Sequence, residues 1–196
     1  MASIVELGVP IVFTSAGNPR TWTSLLQQHS IKVVHVVSSV KFALKAQDAG
    51  VDAVVAEGFE AGGHNGREET TTMCLVPSVA DACDIPVIAA GGLHDGRSIL
   101  AAMMLGAEGV QLGSRFVATP ESSAHVAFKQ AVLAAGEGAT SLELKDVTPV
   151  RLLHNPFARE VIEAQQRGAT PEELKALLGR GLSLIHISEP TRHRRI

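Results

Sequence analysis

Short apolar runs alternate along the chain with longer segments of helical spacing. The runs cover Val9–Phe13, Val33–Val37, Ala53–Ala56, Ile85–Ala90 and Gly109–Leu112. Each run is almost continuously hydrophobic, which is typical of parallel strands that are covered on both faces. The runs follow one another at roughly 20 to 33 residues, the size of a βαβ unit. The pattern therefore predicts right-handed βαβ units in series and a parallel sheet, either open or closed into a barrel.

Residues that begin and end helices lie between these runs. Asp95 is the predicted N-cap of a helix that extends to Leu105, and Gly106 follows where a C-cap belongs. Gly50 has the same role after an earlier helix. The segment Thr170–Glu173 (TPEE) combines a capping box with proline at the first helical position, so it predicts a surface helix.

The composition of the 196-residue chain restricts the class of protein. Hydrophobic residues make up 45% and aromatic residues only 4%, with no tyrosine, so we expect an aliphatic core. The formal net charge of −3 argues against a nucleic-acid or membrane-surface partner, because both favour a basic face. No run reaches the roughly 20 apolar residues of a membrane span, and the N-terminus lacks the pattern of a signal peptide.

The cysteines and methionines do not indicate a metal-binding or catalytic role. Only two cysteines occur, Cys74 and Cys83, and we expect both to be buried free thiols in a reducing cytoplasm. Their surroundings offer no spacing of ligands for a metal ion. Met73, Met103 and Met104 are predicted to fill the core.

The two ends of the chain depart from a complete barrel. Five strands are predicted, whereas a closed barrel has eight, typically in roughly 250 residues. We therefore expect a partial barrel at residues 1–157, without the first strands, and a truncated helical extension at 158–182. The tail at 183–196 (SLIHISEPTRHRRI) has no coherent period. It is a basic tail with a function, or a non-native addition, and we favour the second because it resembles the translated read-through of a sequencing adapter.

Three segments with glycine lie where predicted strands end: AEGFEAGGHNG at 56–66, IAAGG at 88–92 and VQLGSRF at 110–116. Glycine lets the backbone approach a ligand closely. In barrels, the loops after the last two strands often form a phosphate site, and a hydroxyl such as that of Ser114 adds a donor. We therefore predict phosphate binding by the second and third segments. The alternative is that Gly91 and Gly92 only make a tight turn.

His64 lies in the middle of the first segment, after a strand, where barrel active sites are found. An imidazole titrates near neutral pH, so it can accept a proton from an acidic carbon or donate to a developing anion. The alternative is a structural histidine. Glu57 and Glu60 either orient this loop or His64, or have solvated or capping roles. Arg115 faces a phosphate or pairs with a carboxylate at the rim.

The sequences EGFEAGGHNG, IPVIAAGG and GVQLGSRFV, in this order, resemble the nitronate monooxygenase family, formerly called 2-nitropropane dioxygenases. That family includes the flavin-dependent enoyl-ACP reductases. The resemblance extends from about Gly8 to Phe157 and includes TPVRLLHNPF. It implies an α/β fold with about the last five βα units of a (β/α)8 TIM barrel, and FMN as the cofactor.

The resemblance also implies roles for individual residues. His64 would be the active-site base or hydrogen-bond donor beside the flavin ring. The segment Ala90, Gly91 and Gly92 would be the first phosphate-binding stretch, and Gly113 and Ser114 the second. Gly62 and Gly63 would lie along the flavin, where a larger side chain would obstruct it.

The implied reaction oxidises an alkyl nitronate or nitroalkane with dioxygen to a carbonyl compound and nitrite. One alternative is a flavin-dependent enoyl-ACP reductase, and another is an inactive half barrel that binds a phosphate ligand. A further alternative is a nucleotide-oxidising dehydrogenase, a class that typically carries a catalytic cysteine on a mobile loop. It is disfavoured, because neither cysteine lies at the carboxyl end of a predicted strand. We expect the 196 residues alone to fold poorly, because they would expose strand edges that a closed barrel hides. We also expect them to turn over little or no substrate, because part of the flavin-ring site is absent. The sequence does not predict an oligomeric state.

Overall fold

The computed structural model describes residues 2–178. The strands are β1 Ile11–Thr14, β2 Lys32–Val37, β3 Ala53–Glu57, β4 Gly63–His64, β5 Val87–Ala90, β6 Gly109–Gln111, β7 Thr140–Glu143 and β8 Val150–Leu153. The α-helices are α1 Ala2–Glu6, α2 Thr23–Gln28, α3 Val40–Asp48, α4 Thr72–Ala80, α5 Gly96–Met104, α6 Ser114–Val117, α7 Val126–Ala134, α8 Pro156–Gln166 and α9 Pro171–Leu178, with a 3₁₀ helix at Pro19–Thr21. The predicted tail at 183–196 lies outside the described residues.

Five parallel strands form one sheet in the order β1-β2-β3-β5-β6, with helices between successive strands. This is the arrangement of a partial (β/α) barrel, so the predicted fold class is confirmed. Each predicted apolar run overlaps one of these strands, and the bounds differ by at most one residue at the carboxyl end and by up to two at the other. In the register, Val34 lies beside Ala53, Val55 beside Ile88, and Glu57 beside Ala90. The carboxyl ends of β3 and β5 are therefore neighbours.

The chain divides into two compact units. The first contains residues up to Ala61 together with Glu68–Gln111, and so holds the parallel sheet. The second contains Gly62–Arg67 and the residues from Leu112 onwards, and holds an antiparallel sheet in the order β4-β8-β7. The sequence did not predict this second sheet. The predicted boundaries at 157 and 182 stay predictions.

The core of the first unit explains why the strand sequences are continuously hydrophobic. Side chains on one face of the sheet, such as Val54 and Ala89, pack with residues of the helices. Side chains on the other face, such as Val34 and Val55, form a separate buried cluster. Both faces bury aliphatic groups, and neither cluster contains an aromatic residue among its buried members, so the predicted aliphatic core is confirmed.

The predicted helix ends are found in the structure. The Asp95 side chain accepts hydrogen bonds from the backbone N–H groups of Arg97 and Ser98, and Gly106 has a φ of +98° after α5. The bonds from Ser98 and from the Arg97 side chain lower the pKa of Asp95 to about 2. The capping box at Thr170 and Glu173 forms in both directions, at 2.7 and 3.2 Å.

The predicted burial of the sulfur-containing residues was wrong, whereas both cysteines are free thiols as predicted. Met73, Met103 and Met104 are 65%, 44% and 81% exposed, whereas Ala102 is the buried residue of α5. A helix outside a sheet buries only one face, and here a small residue occupies that face. Cys74 is exposed and Cys83 only half-buried, where burial and the nearby Asp84 raise the pKa of the Cys83 thiol.

Candidate functional site

A pair of glycines in left-handed conformations follows β5. Gly91 has a φ of +98° and Gly92 a φ of +68°, values that favour glycine over any residue with a side chain. Among residues 2–178, the N–H groups of Gly91, Gly92 and Leu93 donate to no backbone or side-chain acceptor. Successive unpaired N–H groups of this kind form a concave site for an anion. The geometry therefore fits a phosphate group.

The N-terminus of the following helix is not open to the same anion. The Asp95 carboxylate already accepts from the first turn of α5, and its negative charge stands where a phosphate would otherwise approach. An anion would thus bind to the backbone of Gly91–Leu93 rather than to the helix end.

Two polar residues lie against the glycine pair: Glu60, whose role the sequence left open, and Thr72, which the sequence did not identify. Thr72 is the first residue of α4 and is 7% exposed. Its hydroxyl oxygen lies 2.9 Å from the Gly91 carbonyl oxygen and 2.9 Å from Oε2 of Glu60. Glu60 also accepts from the Thr72 backbone N–H. Glu60 thus has a capping role, one of the alternatives that the sequence left open, whereas nothing in the sequence marked Thr72.

His64 lies in a short strand rather than in a free loop. It ends β4, beside Val150 of β8, and the next residue, Asn65, donates its N–H to Pro149 O at 2.9 Å. Arg67 then donates to Val147 O at 2.6 Å. The imidazole is exposed, and within the described chain it makes no hydrogen bond or ion pair. The backbone is therefore held in place while the side chain remains available to a ligand.

The other predicted cofactor-binding glycines have open surroundings. A Cβ atom built on Gly62 or on Gly113 would meet no heavy atom within 4 Å. Gly113 and Ser114 are exposed at the start of α6. Gly63 is buried and has a φ of +88°, so its own backbone requires glycine. At Gly62 and Gly113, by contrast, the folded chain alone gives no reason for glycine, and a closely approaching ligand would supply one.

The structure assigns the predicted site residues to both units. Ala90, Gly91 and Gly92 belong to the first unit, with Glu60 and Thr72 beside them. Gly62, Gly63 and His64 belong to the second unit, where Gly63 and His64 pair with β8. Gly113 and Ser114, at the start of α6, belong to the same unit. Their roles as ligands stay predictions.

Comparison with known proteins identifies the family. The family model described as "Nitronate monooxygenase" matches residues 1–179. The chain belongs to the nitronate monooxygenase family. A family member from Staphylococcus saprophyticus, named "Probable nitronate monooxygenase", is 39% identical over 171 residues, which cover 82% of this chain and 48% of the relative. The chain thus spans about half the length of the curated relatives it matches.

Two solved structures resemble this nitronate monooxygenase family member over almost its whole length. FabK from Thermotoga maritima has a TM-score of 0.86 and 40% sequence identity, covering 95% of this chain and 59% of its own. A nitroalkane oxidase from Streptomyces ansochromogenes has a TM-score of 0.72 and 29% identity, covering 95% of this chain and 58% of its own.

This member of the nitronate monooxygenase family also has a half-buried carboxyl group at the end of β3. Glu57 lies beside Ala90 in the register, and burial raises the pKa of its carboxyl above the usual range. The sequence left its role open. The available signal was a charged residue directly after a buried apolar run, at the edge where barrel active sites lie.

We expect Glu57→Gln to stabilise the protein, and more so as the pH rises. The raised pKa means that ionising Glu57 costs more in the folded than in the unfolded state. Below about pH 4 the carboxyl is protonated in both states and the substitution changes little. As pH rises through the folded-state pKa, the wild type loses stability that the neutral glutamine retains. Urea unfolding at about pH 4.5 and about pH 7.5 measures the difference.

The exposed Glu68→Gln variant is the matched control for this measurement, because it makes the same chemical change at the surface. If the difference between Glu57→Gln and the wild type did not grow with pH relative to this control, burial would not be acting on Glu57 as the structure indicates.

Among residues 2–178, no group of three or more histidine, cysteine, aspartate or glutamate side chains is placed to hold a metal ion. None of the helices that the structure describes is long and apolar enough to cross a membrane.

Proposed function

We propose that these residues form part of an FMN-dependent enzyme that oxidises alkyl nitronates or nitroalkanes with dioxygen, giving a carbonyl compound and nitrite. The observation that carries the proposal is the run of N–H groups at Gly91–Leu93 that donate to no acceptor in the described chain. Such a run suits a phosphate-bearing cofactor at the carboxyl end of a barrel strand. The likeness to a nitroalkane oxidase over 95% of the chain supports the choice of substrate.

The chain would hold two parts of the cofactor, the phosphate and the flavin ring. Ala90, Gly91 and Gly92 would bind the phosphate, with Gly113 and Ser114 as a second phosphate-binding stretch. Gly62 and Gly63 would lie along the ring. Gly62 has no side chain that would obstruct the ring, and no neighbouring protein atom explains why this position is a glycine. When bound, the flavin supplies the oxidation of the nitronate, with dioxygen as the final electron acceptor.

His64 would act on the substrate. A neutral nitroalkane carries an acidic proton on the carbon next to the nitro group, and an imidazole without a hydrogen bond can accept it. Loss of this proton gives the nitronate anion, and the imidazolium that forms then stabilises the anion by its charge. A nitronate supplied as such has already lost the proton, so it requires only the hydrogen bond.

A second candidate is a flavin-dependent enoyl-ACP reductase, in which a nicotinamide is the electron donor. One comparison favours it: FabK, an enoyl-ACP reductase, has a TM-score of 0.86 and 40% identity to this chain, against 0.72 and 29% for the nitroalkane oxidase. The two activities share the cofactor and differ in the source and the destination of the electrons.

The decisive test starts from the longest reading frame that contains residues 1–182, expressed and purified. Its visible absorption spectrum is recorded, and nitrite is measured with a nitronate in air. A flavin spectrum with nitrite production is the expected result. A flavin spectrum without nitrite, but with rapid bleaching by NAD(P)H under anaerobic conditions, would favour the reductase. A colourless protein that FMN cannot reconstitute would contradict both and leave an inactive phosphate-binding half barrel.

A further inference from the structure

The side chains of Glu60 and Thr72 connect the start of α4 to the end of β5. Both carboxylate oxygens of Glu60 accept from the Thr72 backbone N–H, at 3.2 and 2.9 Å. Glu60 therefore caps a helix whose own N-cap residue, Thr71, makes no capping bond with its side chain. This contact fixes the position of Thr72 relative to the loop that follows β3.

The Thr72 hydroxyl reaches from this fixed position to the glycine pair. It lies 2.9 Å from Gly91 O and 3.3 Å from Ala90 O, and Oε2 of Glu60 is on its other side at 2.9 Å. A hydroxyl has a single proton, so it donates to one of these acceptors at a time. Because Thr72 is almost fully buried, water does not compete well for these contacts.

Three glycines of this region leave the space that Glu60 and Thr72 occupy. A Cβ atom on Gly58 would collide with the hydroxyl and backbone nitrogen of Thr72. One on Gly91 would lie 2.7 Å from Gly58 O and 2.9 Å from the Thr72 hydroxyl, and one on Gly92 would lie 3.2 Å from Cβ of Glu60. All three glycines thus permit the backbone to close on Glu60 and Thr72. This requirement is separate from any ligand.

From these contacts we infer that Thr72, held by Glu60, is a positioning residue: by donating to the carbonyl of Gly91 it fixes the Gly91–Gly92 peptide unit and so directs the Gly92 N–H toward the cofactor phosphate. The inference rests on the proposed function for the identity of the anion. Thr72 itself would not touch the phosphate. It acts by setting the orientation of the Gly91–Gly92 peptide unit, whose N–H would touch it.

The test compares FMN with riboflavin, which lacks the phosphate, using flavin fluorescence titration of the apoprotein. Thr72→Val keeps the shape of the side chain and removes the hydroxyl. We expect the FMN dissociation constant to rise about tenfold, equivalent to about 1.4 kcal/mol, while that of riboflavin changes less than about twofold. Thr72→Ser restores the hydroxyl and should restore FMN affinity. Thr71→Val makes the same change one residue earlier, where no capping bond exists, and should have no effect.

Unchanged FMN affinity in Thr72→Val would overturn the inference, and so would an equal loss of FMN and riboflavin, which indicates general damage to the fold. A wild-type protein that binds FMN no better than riboflavin would instead contradict the proposed phosphate site. In that case hydrogen exchange without flavin still tests the pair. The Gly58 amide, which donates to Ala90 O at 2.9 Å, should exchange about tenfold faster in Thr72→Val than in Thr71→Val, and equal rates would overturn the inference.

Discussion

Replacing His64 by alanine should lower the turnover of a neutral nitroalkane by about 10²- to 10⁴-fold, the usual contribution of a general base. The dissociation constant of FMN should stay within about twofold, because the backbone of β4 is held by β8 whatever the side chain. The same variant should lose less than about tenfold with a nitronate, which needs no proton removal. Nitrite formation from matched nitroalkane and nitronate substrates measures both effects.

His29→Ala is the control, because His29 is an exposed histidine at the end of α2 with no part in the proposed site. It should leave both rates unchanged. If His64→Ala lost the two activities equally, His64 would act as a hydrogen-bond donor rather than as a base. Full activity with both substrates would remove it from the mechanism.

Gly91→Ala should lower the free energy of unfolding by about 3 kcal/mol. Two costs combine here: the left-handed φ of +98°, and a methyl group 2.7 Å from Gly58 O and 2.9 Å from the Thr72 hydroxyl. The atoms that would have to move are a backbone carbonyl and a buried hydroxyl, so relaxation is limited. Urea unfolding followed by far-UV circular dichroism measures the loss.

Gly96→Ala provides the comparison, since Gly96 begins α5 five residues later and a Cβ atom there meets nothing within 4 Å. It should be neutral or stabilise by up to about 1 kcal/mol. A Gly91→Ala protein as stable as Gly96→Ala would mean that the backbone around Gly58 and Thr72 yields easily, and the positioning role of Thr72 would fail with it.

The parallel sheet was predictable because a strand that is buried on both faces has a continuously hydrophobic sequence. Runs such as Ala53–Ala56 contain no polar residue. Asp95 marks the start of α5 by its capping side chain, and Gly106 marks the end by its left-handed backbone. The antiparallel sheet gave no such signal. Its strand β4 is two residues long and lies inside a glycine-rich segment, and β7 (TSLE) is too short and too polar to show a period.

The sequence pointed to candidate site residues whose residue type is informative in itself, such as the glycines and His64. Gly91 and Gly92 were identified because glycine has a conformational meaning at any strand end. Thr72 was not identified, because it acts through a carbonyl oxygen that is 19 positions away in the sequence, and nothing in its own surroundings marks it. Glu57 remained ambiguous for a similar reason: the pKa of its carboxyl depends on burial, which the sequence around one residue does not reveal.

The placement of β4 in the second unit has a consequence for biosynthesis. Arg67, just after His64, donates to Val147 O, 80 positions later in the chain. At 5–20 residues per second, the ribosome needs about 4 to 16 s to make that length. Throughout this interval the nascent histidine segment has no β8 to pair with, although the strands that precede it have already been made. A nascent chain stalled before residue 147 should therefore leave residues 62–67 open to protease, while one released after β8 should protect them.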